Sequence, residues 1–321
     1  MVAYINAIYS IFSYGLARYA GIHIFEPLPP AVSIELSSLC NLSCPECLTG
    51  TGTLKRKSGL IDFSLAEKIA CEISGHSLSA YLYFQGEPMM HPQFYEIVRL
   101  FRKMHPVIAT NGHFLDKDNC VKLTHSGLRK IIISYDGMTP GTYNIYRREG
   151  DHSKVTEGIR LLAETVRREG STMIVELQFL IGRHNEHEVR EAARFARSIG
   201  ARFIVKTMQV LDTDRAEIWM PVNDNRSRYL IREGKASRVH APEKGCLRMW
   251  TTAVITIEGD VVPCCFDKNG SYAMGNIKDQ TFRDVWHSDK YRAFRKSVLK
   301  GRSVIDICKE CPQGTPLLFH K

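Results

Sequence analysis

Three cysteines stand close together in one short segment, Cys40, Cys44 and Cys47, just after the apolar run 32–36. Their C-x3-C-x2-C spacing lets three thiolates reach three irons of one cubane [4Fe–4S] cluster. Because such a cluster takes four ligands, this set leaves one iron without a protein ligand. An open metal position is where a substrate or cofactor can bind and be activated. A zinc knuckle and a cluster that only transfers electrons are the alternatives.

The composition is that of a soluble globular chain. The 321 residues are 44% hydrophobic and 24% charged, which allows one large domain and a smaller one and excludes disordered or collagen-like chains. The chain has ten cysteines, and their clustering in short C-x2-C or C-x3-C steps indicates metal or cluster ligation and not a secreted disulfide framework. Since cysteine-ligated iron needs a reducing compartment, we expect a cytoplasmic protein.

The formal charge of +9 has its densest source in the basic run 292–302, at helical spacing. We interpret this run as a solvated helix face, with binding of an acidic peptide, a phosphate or a lipid headgroup as the alternative. Aromatic residues are not interleaved with it, and no nucleic-acid module is recognisable, so no nucleic-acid partner is expected.

Residues 3–17 carry no charge and are rich in Ile, Tyr and Phe. The segment lacks the basic start of a signal peptide, and it is shorter than the ~20 apolar residues that span a bilayer. A helix packed against the protein or lying on a membrane surface is therefore expected. The second form predicts peripheral membrane contact through residues 3–17, with a lipid-linked substrate as one reason for it.

Strand-like and helix-like segments alternate beyond Pro30. Strands are predicted at 32–36, 81–84, 107–110, 130–135, 172–180 and 203–208. Helices are predicted at 64–73, 93–103, 116–123, 154–169 and 185–199, with a capping box at Ser64 and Glu67 and a second cap at Asn185 and Glu188. Six βα units predict an α/β fold in which the parallel sheet curls into a partial (β/α)6 TIM-type barrel, with chemistry at the carboxyl ends of the strands.

Polar residues follow these strands where such a fold concentrates chemistry. They are Gln85, Gly86, Glu87, Thr110, Asn111, Ser134 and Asp136, with Gln178 on the fifth strand. A glycine lets backbone approach a ligand closely, and a carboxylate or carbonyl can hold an ammonium group. Ser134 and Asp136 are two residues apart and so point to the same side. Ordinary turns are the alternative for Gly86-Glu87-Pro88 and Asp136-Gly137.

The first cysteine motif and Gln85-Gly86-Glu87-Pro88 together resemble the radical S-adenosylmethionine (SAM) superfamily, and the later cysteines resemble its SPASM/twitch extension. The resemblance covers about residues 30 to 315. It implies that the open iron holds the amino and carboxylate groups of SAM, and that an electron cleaves SAM to methionine and a 5′-deoxyadenosyl radical. Two positions depart from the family: Gln85 replaces a glycine, and Glu46 replaces an aromatic residue.

The same resemblance implies site residues. The residues expected to bind the cofactor are Gln85, Gly86, Glu87, Thr110, Asn111, Ser134, Asp136 and Gln178. The auxiliary ligands are Cys246, Cys264, Cys308 and Cys311. Four thiolates leave no open iron, so this cluster is expected to transfer electrons, with a zinc ribbon as the alternative. Asp267 is a candidate proton acceptor, or else a hairpin aspartate.

The predicted domains are a lead-in (1–30), a radical SAM barrel (31–211), a bridge (212–245) and a small hairpin-plus-helix cluster domain (246–321). The predicted function is a radical SAM oxidoreductase or maturase that oxidises a C–H bond of a peptide or small molecule, with the auxiliary cluster as electron acceptor. A flavodoxin or ferredoxin is the expected reductant. The alternative is a non-catalytic iron–sulfur or zinc scaffold.

Overall fold

The computed structural model describes residues 2–24, 26–223, 226–232, 235–238, 243–309 and 311, with only the backbone of 232 and 235–238. The strands are β1 (Ala31–Ile34), β2 (Ser79–Tyr81), β3 (Val107–Thr110), β4 (Lys130–Ser134), β5 (Ile174–Ile181), β6 (Arg202–Thr207), β7 (Tyr229–Arg232), β8 (Lys235–Arg238), β9 (Thr252–Ile255), β10 (Asp260–Val262) and β11 (Gly275–Asn276). Pro242 of the predicted bridge and residues 312–321 of the predicted cluster domain lie outside the described residues.

The helices are α1 (Val2–Gly15), α2 (Phe63–Ile73), α3 (Phe94–Leu100), α4 (Lys117–His125), α5 (Pro140–Tyr146), α6 (His152–Arg168), α7 (Val189–Ser198), α8 (Ala216–Trp219), α9 (Arg248–Thr251), α10 (Phe282–Trp286), α11 (Asp289–Lys300) and α12 (Asp306–Lys309). One π-helical turn, Leu16–Ala20, continues α1. None of the described helices is long and apolar enough to cross a membrane.

Two compact units make up the described chain. The first comprises residues 2–39, 54–107 and 243–311. Its strands run in the order β11-β10-β9-β1-β2, and β2 pairs with the start of β3 at Val107. β1 is parallel to both β2 and β9, whereas β10 is antiparallel to its two neighbours, β9 and β11. The predicted hairpin around Gly259 is therefore present, and its first strand extends the sheet beside β1.

The second unit comprises residues 40–53 and 108–238. Its strands β4, β5 and β6 pair in parallel and in sequence order, with Ser134 opposite Gln178 in the register. The three isoleucines 131–133 of β4 are all buried, as expected for a parallel strand covered on both faces. The prediction of parallel strands joined by helices is confirmed within each unit.

Both predicted helix caps were wrong. Asp62 caps α2, because its Oδ1 accepts hydrogen bonds from the N–H groups of Ser64 (2.8 Å) and Leu65 (3.4 Å). Asn185 does not cap the next helix either. Its amide donates to the carbonyls of Asp136 and Leu180, both at 2.9 Å, so it ties two strand exits together. α7 itself starts at Val189, after a 3₁₀ turn and without a side-chain cap.

The second predicted strand also begins earlier than expected. β2 covers Ser79–Tyr81, so the run 82–84 already belongs to the exit loop that leads to Gln85. The predicted domain boundaries remain a prediction, since the compact units gather segments by contact and not by sequence order.

Candidate functional site

The first cysteine loop lies in the second unit and is held by an asparagine. Asn111, at the exit of β3, donates from Nδ2 to Asn41 Oδ1 at 2.8 Å and lies 3.8 Å from Cys40 Sγ. Asn111 is buried and half-buried Cys40 is beside it. An amide N–H aimed at a cysteine sulfur stabilises negative charge on that sulfur.

A second donor reaches the same loop from Arg147. Its Nη1 lies 3.7 Å from Cys44 Sγ, and its Nε donates to Asp136 Oδ2 at 2.6 Å. The other Asp136 oxygen accepts the Leu180 N–H at 2.6 Å. Asp136 is buried, and the adjacent carboxylate and thiol raise the pKa of Arg147 against the effect of burial. Arg147 therefore stays charged between the carboxylate and the sulfur.

The ring of His113 contacts the side chain of Asn111 and orients it. Its Nε2 accepts the Asp151 N–H at 2.8 Å, and its Nδ1 lies 3.0 Å from Asn111 Oδ1. With Nε2 accepting, the ring proton is on Nδ1 and is donated to Asn111. Burial lowers the pKa of His113, which favours this neutral form.

An apolar cluster surrounds the three cysteines within the same unit. Cys44 packs in it with Leu42, Tyr146 and Trp219, and Cys40 and Cys47 border it. A hydrophobic shell controls solvent access and local dielectric around a metal site. Glu46, the departure from the family pattern, accepts the Leu211 N–H at 2.7 Å and so ties the loop to the segment after β6.

The predicted loop Gln85–Glu87 lies in the first unit. Gly86 has φ +69°, and a Cβ built on it would come within 2.5 Å of the Ser37 carbonyl oxygen. Only glycine fits this turn. Glu87 caps the following turn, accepting the Met89 N–H at 3.1 Å. The Oε1 atom of Gln85 is buried without a hydrogen-bond partner among the described residues.

A buried ion pair supports this loop. Arg56 donates from Nη1 to Glu35 Oε2 at 2.6 Å and from Nη2 to Oε1. Glu35 also accepts the backbone N–H groups of Gln85 (3.3 Å) and Ile257 (3.1 Å). One buried carboxylate thereby joins the exit of β1 to the loop at Gln85 and to the β9–β10 hairpin, all within the first unit.

The second cysteine set lies in the same unit as that hairpin. Cys264, Cys308 and Cys311 are buried, and Cys246 is half-buried. Two arginines lie at this cysteine set: Arg302 donates to Cys308, and Arg248 donates from Nη1 to the Sγ of Cys265, the neighbour of Cys264, at 3.3 Å. Among the described residues, no three His, Cys, Asp or Glu side chains are gathered around a single ion position. A cubane cluster does not need such a gathering, because each of its cysteines ligates a different iron.

The remaining predicted residues lie on the strands of the second unit and after β10. The Thr110 hydroxyl accepts the Gly112 N–H at 3.1 Å. Ser134 and Gln178 are half-buried cross-strand neighbours. The carboxylate of Asp267 accepts the N–H groups of Ser271 and Tyr272, both at 2.8 Å, which is the hairpin role. Burial raises its pKa.

The donors around both cysteine sets fit iron–sulfur clusters. Thiolates on a cluster accept N–H hydrogen bonds, and both sets are met by amide or guanidinium N–H groups in partly apolar surroundings. Sequence reasoning missed Arg147, His113, Glu35 and Arg56, because no spacing in the chain relates them to the cysteines.

Comparison with known proteins identifies the family. The family model of the radical SAM superfamily matches residues 34–196, just over half of the chain. The chain belongs to the radical SAM superfamily. An iron–sulfur cluster-binding domain, SPASM, matches residues 246–312. These radical SAM and SPASM matches confirm the predicted cofactors: a SAM-binding [4Fe–4S] cluster, SAM itself and auxiliary iron–sulfur binding.

Relatives in this superfamily include enzymes of different reaction types. The chain is 24% identical to the S-adenosyl-L-methionine-dependent 2-deoxy-scyllo-inosamine dehydrogenase of Niallia circulans, covering 87% of this chain and 91% of that protein. It is 25% identical to the PqqA peptide cyclase of Gluconobacter oxydans, covering 84% of this chain and 80% of the relative.

Solved structures share the fold. BtrN in complex with AdoMet and 2-DOIA matches with TM-score 0.56 and 22% identity, covering 89% of this chain and 94% of that one. SuiB of Streptococcus suis bound to S-adenosylmethionine matches with TM-score 0.65 and 16% identity, covering 90% and 78%. The predicted α/β class with a partial TIM-type barrel is confirmed.

Proposed function

We propose that the chain is a radical SAM dehydrogenase that oxidises an alcohol group of a small molecule to a carbonyl, so that a hydrogen leaves the carbon, a proton leaves the hydroxyl oxygen and two electrons are removed in all. When bound, the clusters and SAM supply the electron and the radical that takes the substrate hydrogen. The observation that carries the proposal is the single predicted auxiliary set of four cysteines, with Arg302 donating to Cys308, in a chain aligned with 91% of a small-molecule dehydrogenase. One further cluster suffices to accept the second electron.

The chain's own residues divide the work between two regions. Asn111 and Arg147 donate toward the sulfurs of the first cysteine loop, and the apolar cluster around Cys44 limits water there. Gln85 and Glu87 would hold the polar end of SAM. The Oε1 atom of Gln85 fits this role, because it is buried and has no hydrogen-bond partner among the described residues. Asp267 stays a candidate proton acceptor.

The decisive experiment compares wild type with two cysteine variants under anaerobic, reducing conditions. We expect about eight irons per chain in wild type and about four in each variant, since each cubane holds four. The Cys40→Ala/Cys44→Ala/Cys47→Ala variant should release no 5′-deoxyadenosine. The Cys308→Ala/Cys311→Ala variant should still cleave SAM but form no oxidised product.

Substrate class is tested with wild type alone. Polyols and aminocyclitols are compared with peptides as stimulators of 5′-deoxyadenosine release, with flavodoxin as reductant. Stimulation by a polyol together with a carbonyl product supports the dehydrogenase, whereas stimulation by peptides alone would replace it with a peptide-modifying enzyme. An iron-free, zinc-loaded protein that binds no SAM would leave the non-catalytic scaffold.

A further inference from the structure

Helix α1 presents its apolar side chains outward. The exposed large apolar residues of this first segment are Val2, Tyr4, Ile5, Ile8, Tyr9, Ile11, Phe12, Tyr19 and Ile22. Ile8 is 71% exposed and Tyr19 is 84% exposed. Scattered single apolar residues on a surface are ordinary, but a continuous apolar helix face marks an interaction site.

The inward face of α1 is small and polar. Ser10, Ser13 and Ala17 are buried, and Tyr14 packs on Trp250 of α9 with ring centroids 5.1 Å apart. Asn6 donates to the His76 carbonyl at 3.1 Å. In a helix that covers its own protein's core, the apolar stripe faces inward. Here the pattern is reversed, so the apolar face of α1 (Val2, Tyr4, Ile5, Ile8, Tyr9, Ile11 and Phe12) is available to another apolar phase.

A basic cavity is lined in part by residues that follow this apolar segment in sequence. Its volume is about 250 Å³, and its lining is His23, Ile24, Glu26, Arg292, Arg295 and Lys296. His23 follows exposed Ile22 directly. Three cations line the cavity against one carboxylate, and residues 2–24 contain no Asp or Glu. The cavity therefore suits an anion.

A buried guanidinium group at the cavity has spare hydrogen-bonding capacity. Arg295 is 1% exposed, and its Nε and Nη1 donate to the carbonyls of Met249 (3.0 Å) and Trp286 (3.1 Å). Its Nη2 is buried without a hydrogen-bond partner among the described residues. An unsatisfied buried donor is costly, and a phosphate oxygen is the acceptor that guanidinium groups match best.

We propose that the apolar face of α1 and this basic cavity together bind the surface of an anionic phospholipid bilayer. The apolar side chains enter the interface, where aromatic and aliphatic residues of interfacial helices lie. The cavity takes a headgroup phosphate through Arg292, Arg295 and Lys296. Apolar insertion and anion binding on adjacent parts of one unit are the two contributions that give stable peripheral attachment.

The test is co-sedimentation of the full chain with phosphatidylcholine vesicles and with vesicles that contain phosphatidylglycerol. We expect binding to the anionic vesicles only. The Ile8→Ser/Phe12→Ser variant should lose binding. The Arg292→Gln/Lys296→Gln variant should bind about fivefold more weakly for each cation removed, and the difference should shrink at high salt.

Matched controls carry the same substitutions on exposed residues elsewhere. Ile145→Ser/Ile218→Ser controls for apolar loss, and Arg194→Gln/Arg197→Gln controls for charge loss; both should bind like wild type. Unfolding temperatures that match wild type establish that the test variants are folded.

Three outcomes would overturn the proposal. Equal sedimentation of the test variants and their controls would mean that neither feature binds lipid. Stabilisation by inorganic phosphate without vesicle binding would mean a site for free phosphate. A dimer that depends on Ile8 and Phe12, again without vesicle binding, would mean that a second copy of the chain covers the apolar face.

Discussion

Charge balance around single sulfur atoms is set by residues distant in sequence. Arg147 bridges Asp136 and Cys44, and Asn111 reaches Cys40. Asp136 was predicted from its place after β4, as a cofactor ligand. Both carboxylate oxygens of Asp136 have protein partners in this structure. The feature of Asp136 that can be tested is therefore its ion pair with Arg147.

At this scale we predict that Arg147→Met lowers the free energy of unfolding by about 3–5 kcal/mol, because it leaves Asp136 as an uncompensated buried charge. Adding Asp136→Asn should restore most of that loss. The measurement is denaturant unfolding of the cluster-loaded protein, with exposed Arg148→Met as the control. Equal losses in Arg147→Met and Arg148→Met would show that the ion pair contributes nothing.

At the scale of elements, one turn depends on a glycine. Gly86 combines a left-handed backbone with close backbone neighbours, the carbonyls of Ser37 at 2.5 Å and Leu39 at 2.6 Å from a Cβ built there. These contacts join the loop after β2 to the loop after β1. The turn was predicted from sequence as a place where backbone approaches a ligand, whereas the structure shows that it first approaches its own chain.

We predict that Gly86→Ala is more destabilising than Gly75→Ala. Gly75 has a similar φ, +78°, but an added Cβ there meets nothing within 4 Å, so its cost is about 1–2 kcal/mol of backbone strain alone. Gly86→Ala must also displace two carbonyls. Denaturant unfolding measures the difference, and SAM binding by equilibrium dialysis should fall only in Gly86→Ala. Indistinguishable variants would refute the role of the close approach.

At the scale of the whole molecule, one buried histidine and three half-buried histidines link stability to pH. Burial lowers the pKa of His113, His152, His184 and His287 below the ordinary value. The unfolded chain then takes up protons near pH 6.5 that the folded chain does not. Stability contributed by the neutral rings is present above that pH and is lost as the pH falls toward the lowered pKa values.

We therefore predict a fall in the free energy of unfolding between pH 7 and pH 5.5, of up to about 1.4 kcal/mol per pH unit for each histidine. His184→Gln should reduce the slope, and His187→Gln, at an exposed position, should not. Denaturant unfolding at three pH values measures it. A slope unchanged by His184→Gln would exclude that ring as a contributor.

The spacing of the cysteines, the alternation of strands and helices, and the family could be predicted from the sequence alone, and the assignment of these cysteines as ligands stays a prediction. Thiolate spacing within a loop is local, and a strand buried on both faces must be apolar throughout. Only the tertiary structure decided which side chains face those thiolates and how α1 is oriented. Asn111 reaches Cys40 across 71 residues of sequence and Arg147 reaches Cys44 across 103, and no local pattern encodes a contact made by folding.

The helix caps show the same division on a smaller scale. Asp62 is the N-cap of α2, and the Ser64 hydroxyl donates to the Asp62 carboxylate and does not cap the helix. Asn185 donates to the carbonyls of Asp136 and Leu180, and only the packing of the strands brings these carbonyls within reach. A polar side chain forms hydrogen bonds with the partners that folding brings within reach, whereas a sequence pattern shows only its neighbours along the chain.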